Sequence, residues 1–530
     1  MVFIDANSVR QDFFHDADLC IVGAGAAGIA LALEFAGGPV RVCMLESGGL
    51  EFNHEAQLLN DFENVGAPLN ADWPLRQRAL GGTTRSWFGR CVRWDAIDLK
   101  KRPWVSRSGW PLTLEDLDPF LSRACQTVGV AHPEALNPAH WVKKPGFADF
   151  QENGITTGCH AFASKLNFSR AHASSLRSSS SLSLFYHATV SELTSSEDGK
   201  AVREARVTTP GGAAWRVRAK VFVLAAGGLE NPRLLLVSRG FDPRGLGNQH
   251  DQVGRYYMNH PRNEGLARLI LNSENPNYRA ILARLDKGFE ASIGADLQMF
   301  LTLSREIQER EKLLGVSGFF FAHLSGGLAP LAESLHALRR DIHNRTLTRE
   351  TLRTGLNLAV GFPKLLRAGL QKIQGKPLAM DHLVLVDQSE QEPDPESRVT
   401  LAESKDQLGI PRLRLNWRIS NNTVKSLKRF HQLLADHVKT REIGRLESPL
   451  LTDSDFSPNF TDASHPSGTT RMSEDPHQGV VDRNCRVFET ENLFVAGSSV
   501  FPSGGHAAPT LMLLALVVRL ADHLKKDFQL

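Results

Sequence analysis

Short apolar runs bounded by glycines recur along the chain, near Leu19, Val40, Val221 and Leu493. Apolar runs of this length, without alternating polar residues, are typical of strands buried on both faces of a parallel sheet. Helical composition follows the first run, at Ile29 to Phe35, and returns after the last run. The pattern therefore predicts an α/β fold with a parallel sheet between layers of helices.

The first run, Leu19 to Val22, leads directly into a glycine-rich turn and then into the first helix. Gly23 permits a sharp turn, Gly25 lets backbone N–H groups approach a pyrophosphate, and Gly28 lets the helix pack closely on the strand. The second strand ends at Glu46, where a carboxylate can accept hydrogen bonds from ribose hydroxyls. This order predicts a dinucleotide site, with a ligand-free glycine turn as the alternative. The motif alone does not separate NAD from FAD.

The middle of the chain mixes two kinds of pattern. β-like segments include LQMFLTLS and DHLVLVDQ, and helical segments include LAESLHALRRDIHN and LRTGLNLAVGFPKLLRAGLQKI. Before them, Arg216, Arg218 and Lys220 alternate ahead of a continuous apolar run, which predicts an antiparallel ribbon that leads into a buried strand. We predict a Rossmann-type domain formed by residues 1–263 and 450–530, interleaved with an α+β substrate-binding domain at residues 264–449.

Composition limits the partners and the compartment. The 530 residues exceed the usual size of one hydrophobic core, which agrees with two domains. The net charge is only +3 and the 61 Lys and Arg residues are spread along the chain, which argues against nucleic acid. The six cysteines contain no C-x-x-C pair, and there is neither an apolar leader nor an apolar run of bilayer length. These features predict a cytoplasmic protein without a structural metal and without a stable membrane span.

Three further stretches carry paired small residues next to strands or helices. They are RALGGTTRSWFGR at Arg78 to Arg90, KVFVLAAGGLENPRLLL at Lys220 to Leu236, and ENLFVAGSSVFPSGGHAAPTLM at Glu491 to Met512. In this order, and together with the first glycine turn, they resemble the glucose-methanol-choline (GMC) oxidoreductases. The resemblance extends from about Asp18 to Asp522 and is weakest between about residues 264 and 380. It implies that the dinucleotide is FAD.

In that family the first turn holds the FAD pyrophosphate, the Gly-Gly-Thr segment lies along the flavin, and the last strand and helix close over both. Some relatives attach FAD covalently through a histidine four residues after the second glycine, and this position is Ser86 here. We therefore expect non-covalent FAD. The resemblance implies FAD contacts at Gly23, Gly25, Ala26, Gly28, Glu46, Ser47, Arg78, Gly81, Gly82, Thr83, Ser86, Val190, Ala226, Gly227, Gly497, Ser498, Ala508 and Thr510.

The segment SHPSGTTRM, Ser464 to Met472, contains the candidate catalytic base. A neutral imidazole has a pKa suited to accepting the proton of an alcohol at physiological pH, while a hydride passes to flavin N5. His465 resembles the histidine that begins the His-x-x-Gly-Thr segment of the family and is taken to act as this base. A loop histidine that is hydrogen-bonded into the following turn is the alternative.

His506, in PSGGHAAPTLM, is the candidate second catalytic residue. Family members usually carry His or Asn in this turn, but the spacing from Pro502 or from Asp522 places that position nearer Ala508. Either the turn is rearranged so that His506 faces the flavin, or His465 acts alone and His506 belongs to the cofactor site or the substrate wall. The departure also leaves open a desaturation or a lyase-like or redox-neutral reaction.

The resemblance implies an FAD-dependent oxidoreductase that acts on the CH–OH group of an alcohol, a sugar or a natural-product intermediate. We expect oxygen or a soluble molecule to accept the electrons, and leave the oligomeric state open. The region 313–373 is unusually apolar for a peripheral segment. We interpret it as a lid, an oligomer contact or a hydrophobic wall of the substrate site.

Overall fold

The computed structural model describes most of the chain. The predicted helical segment LAESLHALRRDIHN lies mostly outside the described residues, and the apolar region 313–373 lies partly outside them. The described residues are 2–69, 76–131, 133–285, 288–290, 295–324, 331, 334, 335, 338, 349–373 and 380–530.

An eight-stranded sheet forms the first part of the described fold. The strands predicted near Leu19, Val40, Val221 and Leu493 are parallel in this sheet, so the predicted parallel sheet is confirmed. The strand order is Val2–Asp5, Leu182–Tyr186, Val42–Leu45, Phe14–Val22, Ala214–Leu224, Val202–Thr208 and Thr189–Ser195, and Leu493–Val495 also pairs with Ala214–Leu224.

The strand Ala214–Leu224 changes its surroundings along its length. Its first half pairs antiparallel with Val202–Thr208, so the ribbon predicted from the alternating charged residues is confirmed. Its second half is fully buried, and Phe222 pairs in parallel with both Cys20 and Leu493. The change from alternating to continuous apolar residues therefore marks the point where the strand enters the covered part of the sheet.

A nine-stranded sheet with antiparallel pairing forms the second part. The predicted strands LQMFLTLS and DHLVLVDQ correspond to its strands Ala295–Leu303 and Met380–Ser389 and are confirmed. Two of its strands come from the N-terminal part of the chain, so the chain contributes to this sheet before completing the first. The strand order is Gly444–Glu447, Pro261–Leu271, Met380–Ser389, Val316–Leu324, Ala295–Leu303, Ile155–Phe162 and Arg90–Cys91, with Gly288–Glu290 and Thr461–Asp462 at the side.

Helices pack against both sheets, and a small third sheet joins Arg398–Lys405, Pro411–Asn416 and Phe62–Asn64. Helix Asn421–Thr440 packs on the second sheet, and helix Thr510–Asp527 packs on two other helices of the first part. The described helices are Ala26–Phe35, His54–Gln57, Ala96–Leu99, Leu114–Val128, Phe168–Ala171, Ala173–Ser178, Gly227–Val237, Tyr278–Leu285, Arg305–Glu311, Arg349–Ile373, Asn421–Thr440, Pro449–Thr452 and Thr510–Asp527.

Helix Arg349–Ile373 confirms the helical pattern predicted from residue 352 onward. Its place in a lid, an oligomer contact or a substrate wall stays a prediction. It exposes the large apolar side chains of Leu352, Leu356, Val360, Phe362, Leu366 and Leu370.

All six cysteines are buried free thiols. In the described part of the chain, no helix is long and apolar enough to cross a bilayer. Within the same residues, no group of three or more His, Cys, Asp or Glu side chains is arranged to hold a metal ion.

A buried ion pair joins the N-terminal part of the chain to the second sheet. Arg102 donates to both carboxylate oxygens of Glu390, and the two side chains are only 2% and 0% exposed. Burial raises the pKa of Glu390, but the charge of Arg102 outweighs burial and holds this pKa below its usual value. The Glu390 carboxylate therefore stays ionised in the interior because Arg102 supplies its counter-charge.

Arg102→Met should lower the free energy of unfolding by about 3–5 kcal/mol, because Glu390 would stay buried without its counter-charge. Arg305→Met is the matched control, since it breaks the exposed pair with Glu309 and should cost less than about 1 kcal/mol. Urea unfolding followed by tryptophan fluorescence measures both values. Equal losses for the two variants would contradict the assignment of a stabilising buried pair.

Candidate active site

A cavity of about 520 Å³ lies where the carboxyl ends of three parallel strands meet: Phe14–Val22, Ala214–Leu224 and Leu493–Val495. Crevices at this edge of an α/β sheet are the usual ligand sites, because glycine turns and helix N-termini face them. The predicted site residues that line the cavity are Gly23, Gly25, Ala26, Glu46, Ser47, Arg78, Gly82, Thr83, Ser86, Val190, Ala226, Gly227, His465, Gly497, Ser498, Ala508 and Thr510.

The first glycine turn has open space on its cavity side. A Cβ atom built on Gly25 would meet only Gly82 Cα, 4.0 Å away. Gly23 has a φ of 104°, and a Cβ atom there would lie 2.6 Å from Ala225 O. Gly28 does not line the cavity, and a Cβ atom on it would collide with Gly23 O. Packing thus requires glycine at positions 23 and 28, whereas Gly25 leaves the backbone accessible to a ligand.

The Gly-Gly-Thr segment lies directly against this turn. Gly81 N–H donates to Ala24 O at 2.8 Å, and the φ of Gly81, 95°, is in the left-handed region that favours glycine. Gly81 itself is not part of the cavity lining, whereas Gly82 and the residues after it are. Gly81 therefore fixes the Gly-Gly-Thr segment to the first glycine turn from outside the cavity lining.

Three helices begin at the cavity: Ala26–Phe35, Gly227–Val237 and Thr510–Asp527. None of them has a side-chain hydrogen bond at its N-cap, so the N–H groups of the first turns are not occupied by capping side chains. Such N–H groups and the helix dipole favour negative charge. The cavity therefore fits the pyrophosphate of a dinucleotide.

Glu46 follows the strand Val42–Leu45 and is buried. Its carboxylate accepts hydrogen bonds from Ala24 N at 2.9 Å and from Gly48 N at 2.8 Å. Burial raises the pKa of Glu46, and the two N–H donors oppose this rise. Each carboxylate oxygen keeps a second lone pair, which a ribose hydroxyl can use.

A charged cluster that the sequence analysis missed lies in the same part of the cavity. Glu230 forms ion pairs with Arg76, with Arg78 at 2.7 Å and with Arg233 at 3.4 Å. Burial raises the pKa of Glu230, but the three arginine charges lower it to about 2. Arg78 also donates to Ser47 Oγ at 2.7 Å, so the two predicted residues are fixed together. The three arginine charges are therefore partly balanced by the buried carboxylate of Glu230.

His465 is joined to a second histidine, His260, through two Nδ1 atoms that lie 2.8 Å apart. His260 Nε2 lies 3.1 Å from Gly505 O, and a carbonyl oxygen can only accept, so this nitrogen carries the proton. A neutral His260 therefore accepts at Nδ1, and His465 donates its Nδ1 proton. The lone pair of His465 is consequently on Nε2, the nitrogen outside this pair.

Asn259 fixes the backbone of both histidines. Its Oδ1 accepts from His260 N and from His465 N at 2.9 Å each, and its Nδ2 donates to Asp462 Oδ1 at 3.2 Å. Burial lowers the pKa of His260 to about 4. Burial also lowers the pKa of His465 well below 6.5, and nearby positive charges lower it further. Both imidazoles are therefore neutral at neutral pH.

His506 is not part of the cavity lining, whereas Ala508 is. The His506 side chain is buried with its Nε2 3.3 Å from Thr302 Oγ1, and its backbone oxygen accepts from Gln388 Nε2 at 2.7 Å. The structure therefore does not bring His506 into the cavity beside His465. A methyl group occupies the position that the spacing had indicated for the second polar residue.

Arg90, His160 and Arg262 also line the cavity, and the sequence analysis gave them no role. They lie on three different strands of the second sheet: Arg90–Cys91, Ile155–Phe162 and Pro261–Leu271. Arg90 ends the glycine-rich stretch and Arg262 follows His260 closely, which was the available signal. Neither pattern predicted that these strands meet at one site.

Comparisons with known proteins agree with this arrangement. Residues 393–516 match the family described as GMC oxidoreductase. The fructose dehydrogenase large subunit of Gluconobacter japonicus is 28% identical over 59% of this chain, which spans about half, 48%, of that protein. The 2-methyl-1,2-propanediol dehydrogenase of Mycolicibacterium austroafricanum is 24% identical over 96% of this chain and 95% of that protein.

Solved structures share the fold. A variant of the formate oxidase of Aspergillus oryzae RIB40, studied for FAD modification, aligns with a TM-score of 0.59 at 16% identity. The alignment covers 98% of this chain and 100% of that chain. The predicted α/β fold class with a parallel sheet is confirmed.

If Glu46 binds the adenosine ribose of FAD, Glu46→Ala should weaken FAD binding about ten- to a hundredfold, because charge-assisted hydrogen bonds contribute roughly 1.5–3 kcal/mol. Glu55→Ala, on the exposed short helix nearby, is the control and should leave the affinity unchanged. Titration of the apoprotein with FAD, followed by flavin fluorescence, measures both. Unchanged affinity in Glu46→Ala would refute the ribose contact.

Proposed function

We propose that this chain, which is similar to the GMC oxidoreductases, oxidises the CH–OH group of a small molecule with FAD as its cofactor. The observation that carries the proposal is the neutral His465, whose Nε2 is free of the histidine pair in a cavity suited to a dinucleotide. The relatives named above act on a sugar and on a diol according to their names, which supports an alcohol or sugar as substrate.

Residues of the first sheet would hold the cofactor. The first glycine turn and the three helix N-termini would bind the pyrophosphate, Glu46 the adenosine ribose, and the segment after Gly82 the flavin. Bound FAD would supply an acceptor for the hydride that leaves the carbinol carbon. Ser86 has no imidazole for a histidyl link, which supports non-covalent binding.

His465 acts as the base. Its Nε2 accepts the hydroxyl proton while the carbinol C–H bond breaks, so the substrate leaves as a carbonyl compound. His260 holds the ring in the tautomer that this step needs, because it accepts the Nδ1 proton of His465. Asn259 holds the two histidines next to each other, because its Oδ1 accepts hydrogen bonds from the backbone N–H groups of both.

A desaturation or a lyase-like or redox-neutral reaction is the second candidate function. Ala508 favours it, because a methyl group stands near the place of the usual second polar side chain. Anaerobic addition of an alcohol and sugar panel separates the two functions. Bleaching of the flavin supports the oxidoreductase, and a panel without bleaching supports the alternative.

Other expectations from the sequence remain part of the proposal. They are a discontinuous FAD-binding domain of residues 1–263 and 450–530 with a substrate-binding domain of residues 264–449, the cytoplasmic location, and oxygen or a soluble molecule as electron acceptor. The small-molecule substrate and the absence of a nucleic-acid partner belong with them. His506 as a second catalytic residue is tested below.

Acid precipitation should release all of the flavin into the supernatant, because Ser86 cannot form the histidyl bond. Absorbance of the supernatant and of the washed pellet at the flavin maximum measures the two fractions. Free FAD mixed with an unrelated precipitating protein corrects for trapping. Flavin that stays with the washed pellet would contradict non-covalent binding.

His465→Ala should retain FAD but slow anaerobic flavin reduction by about 10²- to 10⁴-fold, the usual contribution of a placed general base. In the wild type the rate should rise with pH as His465 loses its proton, and this rise should lie below pH 6.5 because the pKa of His465 is lowered. Stopped-flow absorbance across pH measures both effects. His477→Ala, on the surface, is the control.

Two companion variants assign the remaining histidines. His506→Ala should reduce its flavin within about tenfold of the wild type if His465 acts alone, and a loss as large as that of His465→Ala would assign a catalytic pair. His260→Phe should retain FAD, slow flavin reduction and shift the pH at which the rate rises, because the His465 tautomer is no longer fixed although His465 itself still ionises. A wild-type rate and a wild-type pH profile in His260→Phe would rule out the positioning role.

A further inference from the structure

Arg90 is a partly buried cation on the side of the cavity that strands of the second sheet form, which we call the substrate side. Its guanidinium carbon lies 4.3 Å from the ring centre of Phe319, and further phenylalanine rings surround it. Its Nη2 donates to Gln298 Oε1 at 3.4 Å, and its buried Nε has no hydrogen-bond partner within the described part of the chain. Among the described residues, no carboxylate lies within ion-pair distance of Arg90.

Arg262 is the second cation of this region and also lies over the ring of Phe319, at 5.8 Å. Its Nη2 lies 2.7 Å from Glu264, whose side chain is 60% exposed and therefore screened by water. The buried Nε of Arg262 has no hydrogen-bond partner. Among the described residues, the substrate side thus holds two guanidinium groups, and the solvent-facing carboxylate of Glu264 pairs with Arg262 but not with Arg90.

This imbalance is costly for the fold. A guanidinium that is largely removed from water without an ion-pair partner loses hydration free energy, which the phenylalanine rings and the long hydrogen bond to Gln298 replace only in part. Burial, followed by the charge of Arg262, lowers the pKa of Arg90 to about 10, which still leaves it charged at neutral pH. Charges kept in a cavity at such a cost mark candidate binding sites.

Resting on the proposed oxidoreductase function, we propose that the substrate is an anionic alcohol, whose carboxylate or phosphoryl group binds Arg90 and Arg262 while its hydroxyl faces His465. The planar guanidinium offers paired N–H donors that match two oxygens of a carboxylate or a phosphoryl group. The free Nε atoms of both arginines then gain acceptors. The anion supplies the counter-charge that the described residues lack around Arg90.

Binding of an anion should also change the pKa of His465. Burial is the main cause of the low pKa of His465, and the positive charges of Arg262 and Arg90 lower this pKa further. An anion bound between these cations and the imidazole offsets their effect, so the pKa of His465 rises when the anion binds. A neutral ligand of the same shape leaves this pKa unchanged.

The test compares isosteric acid and amide probes, so it does not depend on turnover. The holoenzyme is titrated with acetate and acetamide, with benzoate and benzamide, and with inorganic phosphate, and flavin absorbance and calorimetry report binding. At least one anion should bind ten times or more tightly than its amide, or phosphate should bind where no carboxylate does. The pH dependence of that binding should report the raised pKa of His465.

Arg90→Gln should lower the affinity of the preferred anion ten- to a hundredfold and leave amide binding unchanged, whereas Arg90→Lys should retain part of the preference. Arg262→Gln provides the same test if Arg90→Gln does not fold, and Arg305→Gln is the exposed control. Equal binding of acids and amides, no binding of any anion, or an unchanged preference in Arg90→Gln overturns the proposal.

The two proposals fail in different ways. Anion binding that depends on Arg90, in an enzyme whose flavin no alcohol or hydroxy acid bleaches, overturns the oxidoreductase function and leaves the anion site. Bleaching by neutral alcohols, without any preference for anionic ones such as lactate over 1,2-propanediol or glucuronate over glucose, overturns the anion site and leaves the function.

Discussion

The parallel pairing of Ala214–Leu224 with a strand on each side is the constraint on which the site depends. Phe14–Val22 lies on one side and Leu493–Val495 on the other, so the carboxyl ends of all three strands lie at one edge. The turns at Gly23 and Gly497 meet there, although they are far apart in the chain. The cavity that both turns line is complete only when the last strand has joined the sheet.

A second meeting of distant segments creates the candidate base. Met258 and Ser467 exchange two backbone hydrogen bonds of 3.0 and 2.9 Å, which set the segments of His260 and His465 side by side. The carbonyl of Gly505 then decides the protonation of His260, and His260 decides that of His465. The position of the His465 lone pair thus depends on contacts among three segments that are distant in the chain, which contain His260, His465 and Gly505.

The two ends of the cavity differ in how their charges are balanced. Around Glu230, three arginines share a buried carboxylate, so this end is fixed before any ligand binds. Around Phe319, Arg90 has no such partner among the described residues and Arg262 has only an exposed one. The balanced charges around Glu230 keep that part of the cavity rigid. The unbalanced charges of Arg90 and Arg262 can attract an anionic ligand.

Local sequence determined the elements whose signals are contained in one segment. The glycine turn at Gly23 to Gly28, the buried strands and the placement of Glu46 follow from residue type and periodicity, because backbone conformation and burial act over a few residues. Tertiary structure alone decided that His260 meets His465, that Ala508 rather than His506 lines the cavity, and that Arg90 lacks a carboxylate. These are relations between side chains on separate strands and loops, whose distances depend on how the sheets pack and are therefore absent from any single stretch of sequence.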